Sequence, residues 1–103
     1  MSKRSVRLSS DAEEDIRDLL RNTAAMWGED LRDEYARFLD EALERLIHFP
    51  NLGRAVRDSF RELRMLPVQE HVVFYVVTDT QIRVMRVLHK RMDTSSSHIA
   101  TET

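Results

Sequence analysis

The spacing of apolar residues divides the chain into two regions of different secondary structure. Between residues 12 and 47, apolar side chains recur every three or four positions, which is typical of amphipathic helices. After residue 60 the pattern favours β-strands, with alternating apolar and polar residues or runs of β-branched and aromatic residues. A short β-type run at residues 6–8 precedes the first helix. The predicted order is therefore one strand, two helices and three strands.

The first helix has recognisable signals at both ends. Ser10 and Glu13 have the spacing of a capping box, so we expect the helix to begin there. Its apolar positions continue to Trp27, and Gly28 then suits the positive φ that often follows a helix end.

The second helix carries the longest apolar stripe in the chain. We expect Asp30 to cap its start and the helix to end near Phe49, because Pro50 follows. Its short connection to the first helix, through Gly28, predicts an antiparallel hairpin that buries one face of each helix against another layer.

The second half of the chain predicts an antiparallel sheet. We expect strands over residues 60–66, 71–77 and 81–89, with Pro67 ending the first of them, and a loop or short helical turn over residues 54–59. The short links between the strands predict a meander.

The last of these strands alternates less cleanly than the others, and residues 72–77 and 82–88 are apolar on both faces. One face of the sheet should pack on the helices and the other should await a partner. The predicted class is α+β: an N-terminal strand and a two-helix hairpin packed on a three- to four-stranded antiparallel sheet. We expect one domain over residues 1–93 and a disordered tail over 94–103, where periodicity is lost.

Composition narrows the classes of function. The 103 residues include no cysteine, which excludes disulfides and thiolate chemistry, and no apolar run is long enough to span a bilayer. We therefore expect a cytoplasmic protein without a membrane partner. The net charge of −2 is unevenly distributed: residues 1–51 hold eight Lys and Arg against twelve Asp and Glu, whereas residues 52–103 hold eight against six. The second half is the better surface for an anionic partner, although ordinary solvated surfaces also explain the division.

Four local patterns, in order, resemble those of the ParE/RelE toxin superfamily, and of its ParE branch in particular. They are the strand-to-helix junction at residues 8–16, the helix end with Pro50 and Gly53 at residues 46–53, Arg64 followed by residues 71–75, and the closing strand at residues 82–93. The resemblance covers residues 4–93. It implies a toxin of a type II toxin–antitoxin system, of the kind associated with plasmid stabilisation.

The resemblance also implies partners. The toxin would be neutralised in a hetero-oligomer with a cognate antitoxin, expected to be ParD-like with a ribbon-helix-helix domain. ParE-type members poison DNA gyrase, whereas RelE-type members cut messenger RNA in the ribosome. Neither activity requires a cofactor. A third alternative is a toxin-like fold that has lost toxicity and only binds a partner.

Metal-independent RNA cleavage needs groups for proton transfer and cations that hold the charge of the phosphorane. Arg64, Arg86 and His89 are the candidates if the chain is a nuclease. Lys90, however, stands where some RelE-like nucleases carry a Tyr, and strict alternation places Arg86 and His89 on opposite faces unless the strand bends after Leu88. We therefore favour a toxin without catalytic residues.

Two sets of binding residues follow from the resemblance and from the apolar pattern. The set expected to bind the target is Arg64, Arg86, His89, Lys90 and Arg91. The set expected to bind the antitoxin is Leu31, Tyr35, Phe38, Val73, Tyr75, Val84 and Arg86.

Purely structural roles explain several of the same residues. Arg64 and Arg86 would then pair with Glu62 or Asp93 on the sheet, and His89 would cap a strand end. His48 and His71 would be structural, and Trp27 and Tyr35 would belong to the core. No histidine or carboxylate spacing predicts a metal site.

Overall fold

The computed structural model describes residues 3–57 and 62–91. The elements are β1 (Ser5–Leu8), α1 (Ser10–Trp27), α2 (Glu29–His48), β2 (Arg54–Ala55), β3 (Arg64–Val68), β4 (His71–Val77) and β5 (Gln81–His89). The predicted α+β class and its order of strand, helix hairpin and sheet are confirmed. The predicted tail at 94–103 lies outside the described residues.

The strands form one sheet of five in the order β1-β5-β4-β3-β2, and not the predicted sheet of three or four antiparallel strands. β1 is parallel to β5, with Val6 opposite Ile82, so the first strand of the chain lies beside the last. β2 occupies part of the segment expected to be a loop or helical turn. Two paired residues are too short a stretch to leave a period in the sequence.

The strand predicted over residues 60–66 is displaced toward the C-terminus. β3 runs through Pro67, which was expected to end it and instead pairs with Val72 of β4. β2 pairs only with Arg64 and Met65, so β3 is an edge strand at Pro67. A proline is tolerated at a sheet edge, where its missing N–H need not remove a ladder hydrogen bond.

The cap of α1 differs from the prediction by one residue. Ser9, and not Ser10, is the N-cap, and its hydroxyl accepts a hydrogen bond from the N–H of Ala12 at 2.9 Å. The same hydroxyl donates to the carbonyl of Met85 at 2.8 Å. The cap therefore also ties the start of α1 to β5.

The helix connection consists of one residue, Gly28, at a φ of 96°. It serves as the N-cap of α2 without a side-chain hydrogen bond, so Asp30 is not the cap but lies within the first turn. There its carboxylate complements the helix dipole. The positive φ at Gly28 is favourable only for glycine, which makes the tight hairpin possible.

Both faces of the sheet are covered by apolar groups. The helices cover one face, in a cluster whose buried sheet residues include Val73, Tyr75, Ile82, Val84 and Val87. A second cluster on the other face contains Leu63, Val72, Phe74, Met85 and Leu88, each at most 7% exposed. The expectation that this second face is left open for a partner is therefore wrong for these residues.

A bulge in β5 explains its irregular alternation. Tyr75 of β4 lies opposite Val84 and Phe74 lies opposite Arg86, which leaves Met85 between them unpaired. After the bulge, Val87 faces the helices as Val84 does, although the two are three residues apart. The irregularity therefore precedes Arg86, and it is not the bend after Leu88 that would be needed to bring Arg86 and His89 to one face.

Candidate functional site: a groove and a clamped turn

A groove of about 760 Å³ opens between the apex of the helix hairpin and the adjoining ends of β4 and β5. α1 lines it with Asp15, Asp18, Leu19, Asn22, Thr23, Met26 and Trp27, and α2 with Leu31 and Tyr35. The sheet side contributes Glu70, His71, Val87, Leu88, His89 and Arg91. Its lining therefore combines apolar side chains with a comparable number of titratable groups.

The outer wall of the groove is an exposed apolar surface. Met26 is 73% exposed, Trp27 68% and Leu31 39%. The prediction that Trp27 belongs to the core is wrong, because this last residue of α1 lies at the hairpin apex, away from the sheet. Large apolar side chains that remain this exposed beside a concavity are typical of an interaction site.

Tyr35, His71 and His89 form a chain of contacts in the groove. The Tyr35 hydroxyl lies 2.5 Å from His71 Nδ1 and accepts a hydrogen bond from the N–H of Glu70 at 3.0 Å. The rings of His71 and His89 meet edge to face, with centroids 5.2 Å apart. Burial raises the pKa of Tyr35, so the phenol keeps its proton and can donate it to His71 Nδ1.

The pKa of His71 is lowered, first by burial and then by the charge of His89. Glu70 and Asp15 act in the opposite direction, but they are the weaker influences. Burial thus favours the neutral form of His71. Its predicted structural role agrees with these contacts, although the ring also lines the groove.

The end of β5 carries the residues expected to contact the target. His89 Nδ1 accepts a hydrogen bond from the N–H of Arg91 at 3.1 Å, so the imidazole caps the strand end as the structural interpretation expected. Lys90 forms a solvent-exposed ion pair with Glu70 at 3.2 Å. Arg91 is exposed and lines the groove.

Arg86 is held by Asp15 of α1 in a two-pronged ion pair, with N–O distances of 2.8 and 3.0 Å. Asp15 also accepts a hydrogen bond from the N–H of Val87 at 3.0 Å. β1 has ended at Leu8, so this carboxylate takes the place of a strand along the edge of β5. Arg86 therefore joins the helix hairpin to the sheet through Asp15. Asp93, one of the partners expected for it, lies outside the described residues.

A second concentration of polar contacts holds the turn that follows α2. The buried Tyr75 hydroxyl donates to the carbonyl of Pro50 and accepts from the N–H of Gly53, each at 2.8 Å. Arg64 donates to the carbonyl of Gly53 at 2.6 Å. A Cβ at Gly53 would lie 2.7 Å from both the Met65 carbonyl oxygen and the Tyr75 hydroxyl, so only glycine fits. We call this arrangement the clamped turn.

The candidate nuclease residues are not brought together. Arg64 pairs with Tyr75, whereas His89 pairs with His71 four residues earlier on β4. At roughly 3.3 Å per residue, these positions are about 13 Å apart along the strand.

The residues expected to bind the antitoxin are divided between surface and core. Leu31 and Tyr35 line the groove, and Phe38 is half-buried against the helix-facing cluster. Val73, Tyr75 and Val84 are at most 1% exposed, beneath the helices, so they support the fold and are not accessible to a partner.

The groove residues that sequence reasoning missed include Asp15, Met26 and Trp27. Only Trp27 had a feature in the sequence that could have indicated exposure. It precedes Gly28, and a side chain at the apex of a helix hairpin can extend beyond the sheet on which the helices pack.

Among residues 3–57 and 62–91, no His, Asp and Glu side chains are grouped so that they could hold a metal ion. Within the same residues, no helix is both long and apolar enough to cross a membrane.

Comparison with known proteins gives consistent results. The family described as "ParE toxin of type II toxin-antitoxin system, parDE" matches residues 6–94. A Mycobacterium tuberculosis protein named Toxin ParE1 is 37% identical over 87 residues, which cover 84% of this chain and 89% of that protein. Toxin ParE1 of Caulobacter vibrioides is 31% identical over the same length and is covered to 90%.

A solved structure described as "Chromosomal ParDE TA system from P. aeruginosa" has the same fold. The two chains superpose with a TM-score of 0.70, over 84% of this chain and 95% of the other. Their sequences are 15% identical, so this likeness concerns the fold alone.

Proposed function

Because the chain belongs to the ParE toxin family of type II toxin–antitoxin systems, we propose that a cognate antitoxin silences it by occupying the groove and that its free form inhibits DNA gyrase. The expected antitoxin is ParD-like, with a ribbon-helix-helix domain that leaves a separate segment to enter the groove.

The observation that supports an antitoxin site in the groove is the exposed apolar wall of that groove. Met26, Trp27 and Leu31 surround a concavity whose opposite side is formed by His71 and His89. An amphipathic segment, helical or extended, could bury its apolar side chains there while its polar side stays in water. The buried residues Val73, Tyr75 and Val84 then act indirectly, by supporting the helices that form the wall.

Two aromatic residues of similar exposure provide a test. Trp27 lies in the groove and is 68% exposed, whereas Phe49 lies at the other end of α2 and is 64% exposed. We expect Trp27→Ala to weaken antitoxin binding at least tenfold in calorimetry, because a central aromatic anchor is worth about 2 kcal/mol or more. Phe49→Ala should change it less than threefold. Equal effects of the two changes would argue against the groove.

Two of the residues expected to contact gyrase are already bound to other groups of the protein. Arg86 is bound to Asp15, and Arg64 is bound to the Gly53 carbonyl, so both act mainly by supporting the fold. Lys90 and Arg91 are exposed at the end of β5, and His89 lies beside them in the groove. Cations at this strand end would attract an acidic protein or gyrase-bound DNA.

The double change Lys90→Ala and Arg91→Ala tests this part of the proposal. The variant should keep its fold, because it removes only exposed charge. It should still bind the antitoxin through the intact apolar wall of Met26, Trp27 and Leu31, although Arg91 also lines the groove. We expect it to lose inhibition in a gyrase supercoiling assay. Full inhibition by the folded variant would place the toxic surface elsewhere, and a wild-type protein without any inhibition would remove gyrase as the target.

The RelE-like alternative has less support in the geometry. Arg64 and His89 lie too far apart along β4 to act on one phosphodiester. Cleavage of ribosome-bound messenger RNA by the wild-type protein, abolished in His89→Ala, would establish that alternative. A chain inactive in both assays but bound by antitoxin would fit the third alternative, a toxin-like fold without toxicity.

A further inference from the structure

The turn after α2 presents a second surface on which apolar and basic groups occur together. We call it the basic turn surface and define it by Arg45, Phe49, Leu52, Arg54 and Arg57. All five side chains are exposed, Phe49 to 64% and Leu52 to 46%. Residues 45–57 contain three arginines and no Asp or Glu, in a chain whose net charge is −2. This local excess of positive charge contrasts with the acidic helices that precede it.

The three arginines have no ion-pair partner among residues 3–57 and 62–91. Some other cations of the described residues are paired, including Arg21 with Asp18 and Lys90 with Glu70. The nearest carboxylate along β3 is Glu62, just before the strand, and it forms no ion pair with them in the described part of the chain. Within the described residues, no carboxylate therefore neutralises the charges of the basic turn surface, and Asp58, which follows Arg57, lies outside those residues.

Charge alone does not single out this surface, since Arg7 and Arg83 also lie side by side on β1 and β5. That pair, however, has no large exposed apolar residue next to it, because such residues occur only in the groove wall and at Phe49 and Leu52 within the described chain. The basic turn surface thus offers both charged and apolar contacts, whereas the Arg7 and Arg83 pair offers only charge.

The backbone beneath this surface is held in one conformation. Tyr75 binds the carbonyl of Pro50 and the N–H of Gly53, and Arg64 binds the carbonyl of Gly53. Phe49 and Leu52 are joined by a further hydrogen bond of 3.0 Å between the Leu52 N–H and the Phe49 carbonyl. A surface that is already ordered loses little conformational entropy when a partner binds.

We infer that the basic turn surface docks an acidic polypeptide segment of the toxin's target protein, with an apolar side chain of that segment seated on Phe49 and Leu52. The inference rests on the proposed function in taking gyrase as the target. Carboxylates suit the three guanidinium groups, which bind them with paired hydrogen bonds. Duplex DNA would satisfy the same cations but would leave Phe49 and Leu52 without an apolar contact.

This surface is separate from the antitoxin groove. Leu31 lies at one end of α2 and Arg45 near the other, about 20 Å away at the rise of an α-helix. A change at the basic turn surface should therefore affect the target and leave the antitoxin contact intact.

Charge reversal tests the inference, with a matched control. The double change Arg54→Glu and Arg57→Glu alters the basic turn surface. The double change Arg7→Glu and Arg83→Glu alters the net charge by the same amount elsewhere. Purified gyrase holoenzyme without DNA is the probe, and its affinity is measured by biolayer interferometry at several salt concentrations. We expect at least a tenfold loss for the first variant, less than a threefold loss for the control, and unchanged antitoxin binding for both.

A separate variant tests the apolar residues of the basic turn surface. The double change Phe49→Ser and Leu52→Ser should also weaken gyrase binding about tenfold, but without changing its salt dependence. Circular dichroism checks folding, and Arg54→Gln with Arg57→Gln replaces the reversal variant if that variant does not fold. Wild-type affinity in the folded turn variants would overturn the inference and leave the proposed function standing. A loss seen only when DNA is present would overturn it in favour of a phosphate contact. If the wild-type protein did not bind gyrase at all, both this inference and the proposed inhibition of gyrase would be wrong.

Discussion

The groove and the basic turn surface lie at opposite ends of α2 and differ mainly in the charges around them. Each exposes large apolar side chains, with Trp27 as the main one in the groove and Phe49 at the turn. The groove includes the carboxylates of Asp15, Asp18 and Glu70. The turn is surrounded by arginines. Burial of the exposed apolar area would stabilise a complex at either surface. The surrounding charges then determine which partner each surface binds.

The two regions also differ in how they are held. The groove is a space between elements, so its width depends on how the hairpin packs on β5 through Asp15 and Arg86. The clamped turn is fixed locally, through Tyr75 and Gly53. Substitutions that separate these two modes of support are therefore informative, and the following predictions run from the largest expected effect to the smallest.

The largest effect should come from Gly53 in the clamped turn, with Gly28 at the hairpin apex as the comparison. Gly53→Ala would place a Cβ 2.7 Å from the Met65 carbonyl and the Tyr75 hydroxyl, whereas a Cβ at Gly28 meets nothing within 4 Å. We expect Gly53→Ala to lower the free energy of unfolding by about 3 kcal/mol through overpacking against backbone. Gly28→Ala should cost less, about 1–2 kcal/mol, because its Cβ meets no atom but its φ of 96° and ψ of 169° lie in a region that residues with a side chain rarely adopt. Urea unfolding measures both, and equal costs would mean that the turn is looser than its contacts indicate.

The ion pair between hairpin and sheet should rank second. Asp15 and Arg86 are only 15% and 19% exposed, so removing one leaves the other poorly solvated. We expect Asp15→Ala to cost about 2–3 kcal/mol and to weaken antitoxin binding as well, because the groove wall shifts. Asp18→Ala, in an exposed pair with Arg21, should cost less than about 1 kcal/mol.

A double-mutant cycle checks this assignment. Arg86→Ala and Asp15→Ala together should cost clearly less than the sum of the single changes, since the second change relieves an unpaired charge. Strict additivity would show that the two side chains act independently.

The two tyrosines compare the regions through single hydroxyl groups. Tyr75→Phe would leave the Gly53 N–H and the Pro50 carbonyl without their partner in a buried site, at a cost of about 1–2 kcal/mol. Tyr35→Phe removes contacts to Glu70 and His71 beside the open groove, where water can replace them. Thermal denaturation should therefore show the greater loss for Tyr75→Phe. A greater loss for Tyr35→Phe would reverse this ranking of the two regions.

The elements of the fold could be predicted from the sequence because each produces its own periodicity. The long stripe of α2 and the β-branched run of β4 are local properties, and both were placed within one or two residues. β2, the bulge at Met85 and the parallel pairing of β1 could not be predicted, because each depends on register between strands far apart in sequence.

The site was less predictable for a related reason. Arg64, Arg86 and Lys90 were identified as cations of interest, but a sequence does not show which internal group each cation meets. Their partners are a carbonyl at Gly53 and carboxylates on Asp15 and Glu70, all distant along the chain or across the sheet. The exposure of Trp27 could not be predicted either, because an apolar side chain is equally suited to the core and to an exposed binding surface.

The smallest predicted effect is a pH dependence that belongs to the groove and not to the turn. Burial and the charge of His89 lower the pKa of His71 below its ordinary value of 6.5, against the weaker influence of Glu70 and Asp15. A histidine whose pKa is lower in the folded state binds its proton more readily when unfolded. Its contribution to stability is therefore present above pH 6.5 and is lost as the pH falls through the folded-state pKa.

We expect the free energy of unfolding of the wild-type protein to decrease between about pH 7.5 and pH 5 more steeply than that of His71→Gln, which cannot gain the proton. The comparison cancels the titration of carboxylates common to both proteins, so the difference between the two slopes isolates this imidazole. Urea unfolding at several pH values measures the slopes, and proton NMR of the imidazole C–H signals follows His71 directly. Parallel slopes, or a His71 signal titrating above 6.5, would show that acidic neighbours outweigh burial in the groove.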